Sequence, residues 1–194
     1  MWRSDTGCFP RSDRYHTETF NQNQVIGLTR YLVWHASSSW DTKAVSMRSS
    51  ATDGLGCEFP FLDPEMDFEE ARKALAETAS LRRYWQGDFT PLVDEAYLRR
   101  NGPVAEDRWV GWQLSLKDEG FALFFRRCAC EEDSACFSLT AIEEDAVYWI
   151  VLSDEQRNKT ERTVRGSELA HDFRVTSPEK MSSVLMLYRK AETV

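Results

Sequence analysis

The apolar positions of this chain follow two rhythms, and the change falls near its middle. Up to about Leu92, helical spacing alternates with short apolar runs; from Arg108 onward, apolar residues recur at every second position. The clearest helical stretch is 67–83. There Phe68, Ala71, Leu75, Ala79 and Arg82 recur three or four residues apart and form one stripe. Asp67 stands where a cap belongs, and Glu70, three residues on, completes a capping box. A second helix is expected over 17–30, which carries Phe20, Val25, Ile26 and Leu28, with Thr17 as its cap. Tyr31-Leu32-Val33-Trp34-His35 then reads as a short strand covered on both faces, as in parallel sheets. Gly54-Leu55-Gly56-Cys57-Glu58-Phe59 is a weaker strand of the same kind. Helix, strand, strand and helix in this sequence is α/β order.

In the second half, Val110, Trp112, Leu114 and Leu116 alternate with Gly111, Gln113 and Ser115. Asp118-Glu119-Gly120 makes a turn, and 120–127 returns as the second strand of a hairpin. Further strands are expected at 135–139, 147–152, 173–176 and 184–188. Short strands with turns between them predict an antiparallel β-sandwich. The fold class expected is thus α/β followed by all-β. The divisions are residues 1–86, a connecting stretch 87–107, and a sandwich over 108–194.

Composition narrows the functions open to such a chain. Of 194 residues, 42% are hydrophobic and 12% aromatic, enough for a packed core rather than a disordered chain. The formal charge of −8 leaves no basic face for nucleic acid. No apolar run approaches the roughly 20 residues that span a bilayer. Met1 to Asp5 carries no apolar h-region of a signal peptide, which says nothing of where a parent protein works. Five cysteines make an odd count, against a complete disulfide framework. Cys128, Cys130 and Cys136 lack the usual zinc spacing and a neighbouring histidine; the first two are expected on one face of a strand, as plain thiols. His16, His35 and His171 are read as structural, not as metal ligands. Glu131-Glu132-Asp133 and Glu143-Glu144-Asp145 are read as solvated hairpin turns rather than calcium ligands.

Candidate chemistry sits at the very start. Trp2-Arg3-Ser4-Asp5 has the form of a buried strand end that delivers a carboxylate, yet only four residues precede Asp5. A strand usually needs about five or six residues, so the chain is expected to begin inside a larger fold. Elsewhere, Asp13, Glu18, Asp41 and Asp53 are read as solvated loop carboxylates. Trp34, Trp40 and Trp85 are candidate sugar platforms, with core packing the expectation for Trp34.

Taken with Gly27-Leu28, 31–37, Met47-Arg48-Ser49-Ser50, Gly54-Leu55-Gly56, 84–92 around Gly87-Asp88-Phe89, 109–127, Val164-Arg165-Gly166-Ser167-Glu168-Leu169 and Leu187-Tyr188-Arg189, the Trp2 to Asp5 segment resembles the C-terminal part of melibiase-type α-galactosidases, glycoside hydrolase family thirty-six and its relatives. The resemblance implies that residues up to about 84 are the last strands and helices of a (β/α)8 barrel, followed by the β-sandwich. It implies that Asp5 is the general acid/base and that Trp2, Arg3 and Ser4 line the sugar pocket. It implies an α-galactoside oligosaccharide as substrate, no cofactor and no metal, and no nucleic-acid or membrane partner. The family's nucleophile is an aspartate in a Lys-x-Asp context, and no Lys-x-Asp occurs in these residues. The missing barrel segment would then act in cis or in trans. One departure is Thr6-Gly7 after Asp5, where Asn or Tyr often follows in the family, which leaves the leaving-group side open. The alternative is a non-catalytic carbohydrate-binding or structural β-sandwich module with a vestigial barrel remnant.

Overall fold

The computed structural model describes residues 17–32, 36–98 and 105–191. The chain divides into two compact units, Met1–Trp85 with Gly102–Val104, and Gln86–Asn101 with Ala105–Val194. Helices and strands are mixed, and antiparallel sheet dominates.

The first unit runs α1 (Thr17–Leu28), β1 (Ala36–Ser39), α2 (Ala44–Ser49), β2 (Gly54–Cys57) and α3 (Phe68–Leu81). β1 and β2 pair in parallel, from Ala36 opposite Gly54 to Ser39 opposite Cys57. Parallel neighbours need a crossover between them, and α2 provides it. α3 begins where the sequence places it: the Asp67 carboxylate accepts hydrogen bonds from the backbone N–H groups of Glu69 and Glu70. Its buried face is a different one from that expected. Ala71, Ala74 and Leu81 are buried, whereas Phe68 and Leu75 stand out in solvent. Two alanines let the helix approach Met47 and Phe59 closely, and the larger side chains turn away. An ion pair secures the approach. Arg48 of α2 donates to both carboxylate oxygens of Glu77 at 2.8 Å, with the guanidinium almost wholly buried.

Tyr31 and Leu32, the first two residues of the strand expected at 31–35, are not in a strand. The N–H groups of Tyr31 and Leu32 close the end of α1 on the Leu28 carbonyl, and both side chains are exposed. Residues 33–35 lie outside the described residues. The described strand β1 begins at Ala36, and its Ser37, Ser38 and Ser39 are buried. Hydropathy gives no warning of it, because the ladder with β2 and the cover of the neighbouring helices are tertiary effects.

The second unit contains β3 (Asp88–Pro91), α4 (Glu95–Leu98), β4 (Trp109–Ser115), β5 (Glu119–Arg126), β6 (Ser134–Phe137), β7 (Val147–Ser153), β8 (Lys159–Arg165), α5 (Gly166–Ala170), β9 (Phe173–Thr176) and β10 (Ser182–Lys190). Six of these strands form one antiparallel sheet in the order β3-β4-β5-β10-β7-β8, and β6 pairs with β9 in a second. Ala122, Phe124, Tyr148, Ile150, Met186 and Tyr188 of the large sheet share a core with Phe137, Phe173 and Val175 of the small one. Two antiparallel layers over one core are compatible with a β-sandwich.

Three details differ from the sequence reading. Period two in β4 does not mark a wet face: Gln113 is as buried as Trp112. Its amide is satisfied inside, donating to the Thr140 carbonyl and to Tyr188 Oη, and accepting from the Thr140 N–H. Cys128 and Cys130 lie in a turn after β5, not on a strand; the Cys130 N–H bonds the Arg127 carbonyl. The stretch expected only to connect the halves holds β3 and α4.

Candidate functional site

The C-terminal ends of parallel strands are where α/β folds open their sites. At the end of β1 lies a cleft of about 160 Å³. Its floor is built by the turn from β1 into α2. The Ser39 hydroxyl donates to the Asp41 carbonyl at 2.8 Å, and the Asp41 carboxylate accepts from the Lys43 N–H at 2.9 Å. The second bond is the local Asx turn that such side chains favour. It holds Trp40 at the rim, 39% exposed.

The walls come from α1 and α2. Glu18 and Asn21 are three residues apart on one face of α1, and Ser46 on α2 stands four residues before Ser50, which caps the C-terminal end of α2. The faces are joined by polar contacts. Ser46 Oγ donates to Glu18 Oε1 at 2.9 Å, and Asn21 Nδ2 donates to Ser50 Oγ at 2.8 Å. Ser50 Oγ in turn donates to the Ser38 carbonyl at 2.9 Å, and Gln22 Nε2 to Ser49 Oγ at 2.9 Å. Asn21 is 4% exposed, and its Oδ1 has no hydrogen-bond partner among the described residues. A buried carbonyl oxygen in that state is uncommon.

Among the described residues, the lining of the cleft is rich in acceptors and hydroxyls, with the carboxylates of Glu18 and Asp41 and no cationic side chain. Among the described residues, no group of three or more His, Cys, Asp or Glu could hold a metal ion. Nor is any helix of the described residues long and apolar enough to cross a membrane.

The residues singled out from sequence fall unevenly. Trp2, Arg3, Ser4 and Asp5 lie outside the described residues, as do Cys8, Asp13, His16, Trp34 and His35. Glu18, Trp40 and Asp41, named separately from sequence, meet in the one cleft. Glu18 is on a helix rather than a loop. The hydroxyls of Ser38, Ser39, Ser46 and Ser50 and the amide of Asn21 were not foreseen. Their trace in the sequence is the polar side of α1, where Asn21 and Gln22 share burial with Val25 and Ile26.

Other candidates are dispersed. His171 makes a surface contact with Glu144 at 3.3 Å. Glu131 bonds the Lys180 ammonium, which holds its carboxyl below the usual range. Lys190 bonds Glu143, which pushes its ammonium pKa up. Cys57, Cys128, Cys130 and Cys136 are free thiols. Burial pushes the first three up, and at Cys57 the Arg82 charge partly opposes it. Thiols so placed are poor nucleophiles near neutral pH. No protein-family model matches the chain, and comparison with curated proteins finds no match either.

Proposed function

We propose that this chain contributes the general acid/base half of a retaining α-galactosidase-like site, with Asp5 as the acid/base and Trp2, Arg3 and Ser4 against the sugar. The observation that carries the reading is the parallel pair β1–β2, whose C-terminal end opens on a cleft of hydroxyls and carboxylates. On this reading the first unit is the last part of a (β/α)8 barrel, and the second is the sandwich that follows.

The chemistry needs two carboxylates about 5–5.5 Å apart. Asp5 protonates the departing glycosidic oxygen and then takes a proton from water. The nucleophile that attacks the anomeric carbon is not represented, since no Lys-x-Asp occurs among the 194 residues. It comes from a barrel segment outside them, joined to this chain or binding it.

Two outcomes follow. The chain alone should release no nitrophenol from an aryl α-galactoside; turnover abolished by Asp5→Asn would reveal a nucleophile within it. With the barrel segment supplied, Asp5→Ala should slow sugar-leaving substrates by about 10²–10⁴-fold. Dinitrophenyl galactoside should suffer far less, because its leaving group departs without a proton. Added azide should then speed the variant and yield the α-galactosyl azide: the first displacement gives a β-linked intermediate, and azide inverts it again. The β-azide would make Asp5 the nucleophile and end the assignment.

A further inference from the structure

We infer that the outward face of β7, β8 and β10 is a binding surface for an acidic polysaccharide, with Trp149 stacking on a sugar ring and Arg165 and Arg189 taking the carboxylates beside it. The inference does not depend on the reading of Asp5.

Strand register puts these side chains together. Residues paired across a sheet share a face, and Trp149 of β7 stands opposite Thr163 of β8 and Arg189 of β10. Val147, two residues back on β7, stands opposite Arg165. The inward face is accounted for, since Tyr148, Ile150 and Val164 belong to the shared core. The outward positions of β8 are exposed and polar, and alternation predicts the same for β7. An indole stands there instead, 36% exposed, and Val147 beside it is 46% exposed. The Arg189 guanidinium lies 5.8 Å from the centroid of the Trp149 ring. Three hydrogen-bonded strands carry these groups, and a sheet positions side chains more firmly than a loop does.

Charge selects the ligand. The chain carries a formal −8, yet the outward face of these three strands holds Lys159, Arg165 and Arg189 against one carboxylate, Glu161. Glu119 of β5 borders the patch at Arg189, so Arg165 carries the greater part of the attraction. An arginine fork matches a carboxylate with two parallel hydrogen bonds. Arg189 is directly beside Trp149 on the β10 side, and Arg165 is diagonal to it on the β8 side. Diagonal neighbours on a sheet are about 7–8 Å apart, so a ring stacked on the indole meets a cation to either side. The C–H face of a sugar covers the indole, and its acid groups reach the arginines. A folded protein partner suits the face less well. Its exposed apolar part is Val147 and Trp149, whereas a stable protein interface takes about 800 Å² from each partner around an apolar centre. A slender anionic chain needs no more than this.

The test is binding of hexagalacturonate to the full chain at low ionic strength, followed by tryptophan fluorescence and NMR. The parent should bind with a dissociation constant of about 0.1–1 mM. Trp149→Ala should weaken binding roughly tenfold, through loss of the stacking surface. Arg165→Ala, at an exposed position on the edge strand, should weaken it about fivefold and flatten its salt dependence. The methyl ester of the same oligosaccharide, which has lost its charge, should bind roughly tenfold more weakly than the acid. A thermal melt of each variant confirms that it is folded, and Arg165→Ala keeps the test open where Trp149→Ala does not fold. The inference fails if the parent does not bind hexagalacturonate, if the folded variants bind like the parent, or if the ester binds as tightly as the acid. Tighter binding of an oligothymidylate of equal charge, lost in the same variants, would also overturn it, by assigning the face to single-stranded nucleic acid.

Discussion

Two buried arginines show how single residues hold this chain's loops and helices in place. Arg48 meets a carboxylate, but Arg126 at the end of β5 is different. It donates to the carbonyls of Cys130, Glu131, Ser177 and Pro178, and is itself 5% exposed. Four carbonyls from two separate loops thus converge on one guanidinium, whose planar fork carries five donors. A lysine there would be a point charge and would reach fewer of them. Arg126→Ala would leave those carbonyls without their donor and the turn bearing Cys128 and Cys130 without its anchor. Removing it should cost about 3 kcal/mol of stability, in line with leaving buried acceptors unmatched. Urea denaturation of the parent and the variant measures this, and a loss under about 1 kcal/mol would mean that water takes over the carbonyls.

Secondary structure was legible in the sequence only where local signals and tertiary burial agree. β9 is one such case: Phe173 and Val175 point inward, Arg174 and Thr176 outward, as its alternation predicts. β8 could not be found this way. Lys159–Arg165 is polar at almost every position and buries only Val164, because it pairs with β7 alone at the end of the sheet. An edge strand needs no apolar face, and its charges discourage pairing with another chain. β1 escaped for the opposite reason, since its serines are buried by what surrounds them. The cleft follows the same logic. Glu18, Trp40 and Asp41 each stand out in the sequence, but only the packing of α1 on α2 brings them together. α3 lies between these extremes: its start was readable and its buried face was not. The start is therefore the part to test. Asp67→Ala removes the acceptor for two N–H groups of the first turn and should cost about 1 kcal/mol. A thermal melt checks it, and an unchanged midpoint would show that water caps the helix equally well.

The two units differ in how much of their structure they complete by themselves. The second has six strands in one sheet, two of its pairings made by adjacent hairpin strands, and a core shared with β6 and β9. β10 pairs along most of its length with β5 on one side and with β7 on the other, so its amides are tied from both flanks. Among the described residues, the first unit has a parallel pair four residues long, a small cluster around Met47, Phe59, Ala71 and Ala74, and the Arg48–Glu77 bridge. A two-stranded sheet is marginal in water, and three or more strands over an apolar face are the usual requirement. Exposed Phe61, Leu62, Phe68 and Leu75 add apolar surface without adding core. Local opening should therefore separate the units in free energy. In native-state hydrogen exchange of the full chain, the amides of β5 and β10 should be the last to exchange. Those of β1 and β2 should exchange earlier, through openings that leave the second unit protected. Limited proteolysis should cut first within the first unit and leave a resistant piece containing β4 to β10. Protection of β1 and β2 as lasting as that of β10 would refute this, because it would require their four-residue ladder to open only when the six-stranded sheet does.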